Sequence, residues 1–341
     1  MAISYDPKIR SFHFRSIHPF LFMGTTSDRY AGWLGQIYSP EKYKGKIKRR
    51  SKKVGGKGFV EEILPVESVE EYFQHFSVLE LDFTFYRPLK DQEGNPTQNY
   101  HTLRAYSQYL KKEDHLVLKV PQAFFAKKVW QQEVFGPNPT YLDARAFKNQ
   151  FYEPALELVD PWLCGLLFEQ EYHRKQDRPS AREVAQELDR FFEAIPKDPR
   201  YHVELRTESF LSPPLFEVLE KHGVGQVLSH WSWLPPLWRQ FHLSGQRFLA
   251  ASGDVIIRLM TPRGMRYEEA YAKAHPFDKL IHGMLQESMV QETARLAKEA
   301  IDRGFRANIL INNRSGGNAP IIAQKVAAAF VRALLPPSTP A

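Results

Sequence analysis

VLELDFTFYR, residues 78–87, is the stretch that decides the fold: a short run of β-forming residues leads directly into charged and aromatic ones. Buried parallel strands have this apolar character, and in a (β/α)8 barrel the reactive side chains lie where each strand stops. Five more segments have the same shape, at residues 20–26, 116–119, 202–206, 255–258 and 308–313. The predicted fold class is therefore α/β, a single (β/α)8 TIM barrel with inserted loops, whose polar side chains converge on one mouth.

Strand-like and helix-like segments alternate along the chain, as in βα units around a parallel sheet. The best helix is predicted over 180–194, where Ser180 and Glu183 have capping-box spacing. Further helices are predicted over 284–303 and from about Asn318 onward. The eight strands are predicted near residues 20–24, 77–82, 115–120, 163–168, 201–206, 225–229, 254–259 and 307–312.

The same pattern gives a domain organisation. Residues 1–18 are expected to form an N-terminal extension, 19–334 the TIM-barrel domain, and 335–341 a disordered tail. Within the barrel domain a basic insertion is expected at 40–64. Other inserted loops are expected at 89–99, 130–147 and 261–283.

Composition favours a soluble globular protein in a reducing compartment. Hydrophobic residues make up 43% of the chain and charged residues 25%, which allows a large core. The single cysteine, Cys164, cannot form an internal disulfide and lies in an apolar run, where an inert buried thiol is expected. No apolar stretch approaches the length of about 18 residues that a membrane span needs. We therefore expect a cytoplasmic protein with no membrane partner.

The net charge of +7 is concentrated in one segment. Residues 42–57 contain nine Lys and Arg residues and no acid, so the remainder of the chain is close to neutral. Such a segment can bind nucleic acid by neutralising phosphates, but it is equally typical of a solvated, mobile loop. The candidate nucleic-acid contacts are Lys48, Arg49, Arg50, Lys52 and Lys53.

At the ends of the strand-like runs the chain resembles the YecE-like family, catalogued as domain of unknown function 72. The resemblance implies a TIM barrel and a site at its mouth, and it implies no particular reaction, since the family has no established activity. It extends over roughly residues 20–330. The matching motifs are Gly24-Thr25-Thr26 with Gly32-Trp33, Glu80, Thr84-Phe85-Tyr86-Arg87, Lys119-Val120-Pro121, Glu204-Leu205-Arg206, Arg258 and Asn312-Asn313.

The chain also departs from the family pattern at four places. Asp82 stands where the family has Asn, and Glu169 where it has Gln. Thr207 replaces the His of Glu-x-Arg-His, and Met260-Thr261 replaces the His-Gly that follows Arg. The two absent histidines motivate the alternative that this barrel has lost its chemistry and serves as a binding protein.

One mouth of the barrel is expected to collect carboxylates, cations and amides. A neighbouring cation lowers the pKa of a carboxyl group and burial raises it, so such a cluster can tune an acid or a base. The same residues can instead form a structural ion-pair network that closes the barrel. They are Glu80, Asp82, Lys119, Glu169, Glu204, Arg206, Arg258, Asn312 and Asn313.

The favoured hypothesis is a metal-independent hydrolase or lyase that acts on a phosphate- or carboxylate-bearing small molecule. Glu204 would be the acid or base, with Arg206 setting its protonation state and Lys119 and Glu80 completing the catalytic set. Arg258 would bind the anion together with Arg206, so that Arg258→Met is expected to cost little stability. The other expected substrate-binding residues are Asn312, Asn313, Tyr86, Trp33, Asp82, Glu169 and Gly317.

Gly317 belongs to the turn SGGN, residues 315–318, which opens the last helix. The free N–H groups of a helix N-terminus can bind an anion, although a plain strand-to-helix turn would have the same sequence. The twelve histidines show no paired spacing, so no metal and no cofactor are expected. The sequence sets no expectation for the oligomeric state.

Overall fold

The computed structural model describes residues 7–131 and 134–335, with side chains described for 7–129 and 135–335. Most of the expected disordered tail, 336–341, and the first part of the N-terminal extension, 1–6, lie outside the described residues. The strands are β1 Leu21–Thr26, β2 Lys48–Val54, β3 Lys57–Ile63, β4 Val78–Leu81, β5 His115–Lys119, β6 Lys128–Gln131, β7 Val134–Pro137, β8 Leu163–Glu169, β9 Tyr201–Glu204, β10 Gly225–Gln226, β11 Leu228–His230, β12 Asp254–Leu259 and β13 Arg306–Ile311.

Nine parallel strands form the barrel, in the order β10-β9-β8-β5-β4-β1-β13-β12-β11. β10 pairs with β9 and β11 pairs with β12, and only Val227 separates β10 from β11. The nine strands therefore occupy eight positions, because β10 and β11 are two halves of one segment that joins the ends of the sheet. All eight predicted strands are present, and the TIM-barrel prediction is confirmed.

Helices cover the outside of the barrel, and four of the described helices begin after a residue whose side chain accepts a backbone N–H of the first turn. The helix Ala181–Ala194 begins after Ser180, whose side chain forms a reciprocal capping box with Glu183. None of the described helices is both long and apolar enough to span a bilayer. The helices are α1 Pro7–Arg10, α2 Pro40–Tyr43, α3 Val69–His75, α4 Gln98–Ser107, α5 Gln122–Phe125, α6 Ala144–Phe147, α7 Glu153–Val159, α8 Ala181–Ala194, α9 Pro213–His222, α10 Leu237–Leu243, α11 Tyr267–Ala274, α12 Glu287–Asp302 and α13 Ala319–Leu334.

The interior of the barrel is layered. An inner apolar cluster is separate from the core between strands and helices, and consists of Val78, Val117, Leu167, Val227, Ile256 and Leu310. Side chains two residues apart on a strand point to the same face. The residues two positions further along these segments are Glu80, Lys119, Glu169, Ser229, Arg258 and Asn312. The strand pattern thus places an apolar layer beneath a polar layer at the mouth.

The basic insertion is not a loop. β2 and β3 form an antiparallel hairpin, closed by Gly55 and Gly56 with φ angles of +55° and +81°. Positive φ at both turn residues is the geometry of a tight hairpin turn and favours glycine. The hairpin packs on α11 through Val54 and Phe59, whose ring lies 5.0 Å from that of Tyr271. The expectation of a loop is therefore wrong for this segment, although most of its side chains are exposed to solvent.

Two other expected loops also contain regular structure. The segment 130–147 includes β7 and α6, together with the end of β6, and the segment 261–283 includes α11. The segment 89–99 is mostly turn, with one isolated bridge between Lys90 and Pro96. Short antiparallel pairs lack the long apolar runs by which the barrel strands are recognised, so the sequence pattern does not reveal them.

Candidate active site at the barrel mouth

Arg258, on β12, is the centre of an ion-pair network in the polar layer. Its Nε donates to Glu80 Oε2 at 2.8 Å and its Nη2 to Glu80 Oε1 at 2.6 Å, a bidentate pair. Its Nη1 donates to Glu169 Oε2 at 3.2 Å and to Glu204 Oε2. The Arg258 side chain has no appreciable exposure, so three carboxylates take the place of water around its guanidinium.

Glu169, at the end of β8, brings the other two cations into the network. Its Oε2 lies 2.6 Å from Lys119 Nζ, 2.9 Å from Arg206 Nη2 and 3.2 Å from Arg258 Nη1. Arg206 Nη2 also lies 3.4 Å from Glu204 Oε2. Three carboxylates and three cations thus form one continuous cluster, which is neutral when all six groups are ionised.

Neighbouring charges set the protonation of this network. Burial alone would raise the pKa of Glu169, but Arg206, Lys119 and Arg258 together hold it well below its usual range. The guanidinium of Arg258 is buried, yet Glu204, Glu80 and Glu169 raise its pKa, so it stays charged. Burial lowers the pKa of Lys119, which makes it the cation most ready to lose a proton.

The network is sealed on its inner side and opens slightly toward the mouth. The side chains of Glu80, Glu204 and Arg258 are at most 1% exposed. Those of Lys119 and Glu169 are 7% exposed and that of Arg206 is 15% exposed, with its guanidinium stacked on Trp231. Arg258 is therefore not accessible to a ligand in this arrangement, contrary to its expected role in anion binding. Removing its side chain would take an ion-pair partner away from buried carboxylates.

Several other expected binding residues have structural partners. Asn312 donates from Nδ2 to Thr26 Oγ1 at 2.6 Å, and its Oδ1 accepts the backbone N–H of Arg314. Trp33 is fully buried and donates from Nε1 to Asn313 Oδ1 at 3.1 Å. These contacts hold the loops after β1 and β13 together, so Trp33 does not offer a stacking surface to a ligand.

The expected anion site at the last helix is already filled by the protein. The N–H of Gly317 donates to Asn313 O, and that of Ala319 donates to Asn313 Oδ1 at 2.8 Å. Asn318 caps α13 by accepting the N–H of Ile321 at 2.9 Å. With these donors engaged and the turn buried, the plain strand-to-helix turn is the correct alternative, and the prediction of Gly317 as an anion ligand is wrong.

A cavity of about 940 Å³ lies beside the network, between the ends of β1 and β4, the β2–β3 hairpin and residues 275–277. Asp82 and Tyr86, both expected binding residues, line it, and Tyr86 is 69% exposed. The chemically active side chains in its wall are Asp28, Arg29, Tyr30, Arg49, Arg50, Lys52, Glu61, Glu62, Asp82, Tyr86, Tyr106 and His275.

Asp82 is the half-buried acid in the cavity wall. Its carboxylate makes no hydrogen bond or ion pair with any residue that the structure describes. Burial raises the pKa of Asp82, and the charge of Lys119 is the strongest opposing influence, followed by that of Arg314. The side chain thus has a raised pKa, faces a cavity and has no internal partner, three properties expected of an acid–base group.

Asp28, on the loop after β1, is a second cavity acid, which the sequence analysis did not identify. Its side chain is buried, Oδ1 accepts the hydroxyl of Tyr106 at 2.8 Å, and Oδ2 has no partner among the described residues. Burial raises the pKa of Asp28 to about 6, with the nearby charge of Asp82 adding to the shift. The signal was present: Asp28 follows Gly24 and Thr26 at alternate positions, although it lies beyond the apolar run.

The hairpin supplies a cationic rim to the cavity, and its own acids neutralise part of it. Arg49 pairs with Glu62 at 2.9 Å, while Arg50 and Lys52 pair with Glu61 at 3.3 and 2.9 Å. Two other candidate nucleic-acid contacts, Lys48 and Lys53, are exposed and do not line the cavity.

The ring of parallel strands, with polar side chains at one mouth, defines an α/β protein of the TIM-barrel class. A family model described as "Protein of unknown function DUF72" matches residues 22–341, and the chain belongs to this family. The resemblance noted in the sequence motifs is thus confirmed. A search of curated proteins gives no match.

Solved structures of two DUF72 family proteins resemble the chain along nearly its whole length. The protein from Enterococcus faecalis has 16% identity and a TM-score of 0.54, and the match covers 91% of this chain and 95% of that one. The protein from Thermotoga maritima has 14% identity and a TM-score of 0.54, with 92% and 99% covered. At such low identity the likeness shows the fold and carries nothing about ligand or reaction.

Proposed function

We propose that the protein is a metal-independent hydrolase or lyase that acts on an anionic small molecule in the cavity beside the ion-pair network. The observation that carries the proposal is the position of Asp82, an acid in the wall of a ligand-sized cavity that has no hydrogen-bond or ion-pair partner among the described residues. Cavities of this size with a few convergent polar groups are where substrates bind. The catalytic acid or base is then Asp82 rather than Glu204, which is engaged with Arg206 and Arg258.

The cavity lining supports an anionic ligand. Arg29, Arg49, Arg50 and Lys52 line it, and guanidinium groups can bind carboxylate or phosphate in a bidentate manner. When Asp28 and Asp82 carry protons, the cations outnumber the ionised acids of the wall. Anion binding and acid catalysis are therefore favoured by the same protonation state.

A variant of Asp82 tests the proposal. Asp82→Asn keeps the shape of the side chain and removes its proton chemistry, with the exposed Asp177→Asn as a matched control. In a screen of phosphate esters and carboxylate-bearing substrates, we expect turnover to fall roughly 100-fold to 10,000-fold in the Asp82 variant alone. Sulfate affinity at about pH 8, measured by calorimetry, should rise, because the variant lacks a negative charge in the wall.

Two outcomes would contradict the proposal. Turnover that survives Asp82→Asn would remove this residue from the chemistry. Absence of turnover with every substrate, together with unchanged sulfate affinity, would favour the alternative of a barrel that binds a partner without catalysis.

A nucleic-acid-binding barrel is the second candidate, and the exposed cations of the hairpin favour it. Lys48 and Lys53 have no carboxylate partner among the described residues, and the charge of Arg49 is shared with the exposed Glu62. Phosphate contacts would make the affinity fall steeply with salt. A salt titration with single-stranded RNA therefore separates this candidate from a small-molecule site.

A further inference from the structure

Lys119, at the end of β5, is held less firmly than the other two cations of the network. Among the described residues, Arg258 contacts three carboxylates and Arg206 two, whereas Lys119 Nζ contacts one, through Glu169 Oε2. That oxygen is shared with both arginines, at 2.9 and 3.2 Å. A guanidinium does not release its proton in a protein and an ammonium does. The repulsion among the three cations is therefore relieved by deprotonation of Lys119.

Burial and the two neighbouring arginines favour the neutral amine of Lys119, whereas the pair with Glu169 and the contact with the Phe85 ring favour its ammonium form. Its Nζ lies 3.7 Å from the centre of the Phe85 ring, and its side chain is 7% exposed. Burial lowers the pKa of Lys119 and the charges of Arg258 and Arg206 lower it further, against Glu169 and Glu80, which raise it. A lysine that is desolvated and next to other cations is an activated nucleophile.

Lys119 does not line the cavity itself, but it lies beside a residue that does: Leu118 pairs with Leu81 in the sheet, and Lys119 and Asp82 follow them on neighbouring strands. Lys119 belongs to the three network residues that keep some exposure toward the mouth. Its charge is also the strongest electrostatic influence on Asp82, the acid that lines the cavity. A ligand that extends from the cavity past Asp82 toward β5 would therefore meet a proton donor and a nucleophilic amine.

We propose that Lys119 forms an imine with the aldehyde or ketone group of a small anionic substrate, such as a 2-oxo acid. This inference rests on the proposed function, because the cavity holds the anionic end and Asp82 handles protons. The nitrogen lone pair of Lys119 attacks the carbonyl carbon, and the C=O π pair moves to the oxygen, which takes a proton from Asp82. The resulting Asp82 carboxylate takes one proton from the nitrogen and returns it to the hydroxyl, which leaves as water. One neutral amine, one carbonyl and the proton of Asp82 give one protonated imine, one water and the Asp82 carboxylate, without any redox change.

Reductive trapping in the full chain tests the inference. The protein is incubated with pyruvate and sodium cyanoborohydride at about pH 7, digested and mapped by mass spectrometry. We expect one reduced adduct on Lys119, with labelling at least about tenfold above that of Lys127, because a desolvated lysine beside other cations is the activated nucleophile. Lys127 is a matched control: it pairs with Glu187 at 2.7 Å and lies beside the ring of Tyr141, but it is 26% exposed and shares no described carboxylate with an arginine.

The variants Lys119→Arg and Lys127→Arg complete the design. The Lys119 variant should lose the adduct and the Lys127 variant should keep it. No adduct in the native protein, or equal labelling of many lysines, overturns the inference, and this result needs no variant to fold. The sulfate titration separates the two proposals: sulfate binding without an adduct refutes only the imine, whereas an adduct without anion binding refutes the anionic substrate.

Discussion

Two neighbouring regions of the barrel mouth use the same kinds of side chain in opposite ways. In the network, Arg258 is surrounded by Glu80, Glu169 and Glu204, and each buried charge has a close partner. In the cavity, Asp82 has no internal partner among the described residues, and Asp28 has one free carboxylate oxygen. The network pairs its charges within the protein, although Glu204 Oε1 and Arg206 Nε have no hydrogen-bond partner among the described residues, whereas the acids of the cavity wall face a ligand-sized space. Breaking the buried pairs of the network is costly, and the acids of the cavity wall are available for chemistry.

The largest effect is expected when the network loses its central cation. Arg258→Met removes the one described ion-pair partner of Glu80 and one of the two described partners of Glu204, and breaking a buried pair in this way costs about 3–5 kcal/mol. We expect this loss in the free energy of unfolding by urea. The surface variant Arg247→Met removes a pair between exposed Arg247 and Glu220 and should change stability by less than about 1 kcal/mol. If the two variants lowered the free energy of unfolding equally, the buried network pairs would contribute no more to stability than an exposed surface pair.

The second largest effect is expected in the pH dependence of the free energy of unfolding, to which Asp28 contributes. The folded protein holds the Asp28 proton up to about pH 6, whereas the unfolded chain releases it near its ordinary pKa of 3.8. Between these values the folded state binds more protons, so stability falls as pH rises, by about 3 kcal/mol in total. Asp28→Asn does not titrate and should be more stable, relative to the native protein, at about pH 7 than at about pH 4. Parallel unfolding free energies of the two proteins at both pH values would contradict the raised pKa.

The smallest effect on stability is expected at the cavity rim. Arg49 and Glu62 form an exposed pair, with 77% and 45% of their side chains accessible, so Arg49→Gln should change stability by less than about 1 kcal/mol. Sulfate affinity should nevertheless fall, and Glu62→Gln should raise it, because the two substitutions change the rim charge in opposite directions. If both variants leave sulfate affinity unchanged but Arg49→Gln weakens single-stranded RNA, the rim serves the nucleic-acid candidate instead.

The sequence predicts the barrel well because each strand is indicated by a pattern within a few consecutive residues. Apolar runs identify all eight strand positions, and alternation along each strand shows which side chains point inward. On that basis Glu80, Lys119 and Arg258 were expected at one mouth, where the structure places them in contact through Glu169.

The sequence does not reveal which charged residues form ion pairs with one another. Whether Arg258 meets a ligand or three carboxylates depends on the relative register of distant strands, which no local pattern carries. The acids that neutralise the basic segment, Glu61 and Glu62, lie just past its last lysine, so their partners become evident only once the hairpin is formed. Asp28 was missed because it lies beyond the apolar run of β1, and the side chain that bonds its carboxylate, Tyr106, is remote in sequence.

The layered interior also links folding accuracy to function. Each inner apolar residue, such as Val78 or Val117, is followed two positions later by a network residue, here Glu80 or Lys119. A shift of one residue in the pairing of any of these strands would exchange its two faces. Charged side chains would then pack against the helices, and apolar side chains would lie at the mouth. A strand in the wrong register would therefore disrupt both the inner apolar layer and the network at the mouth. The alternation of side chains that builds the barrel also places the polar side chains at its mouth.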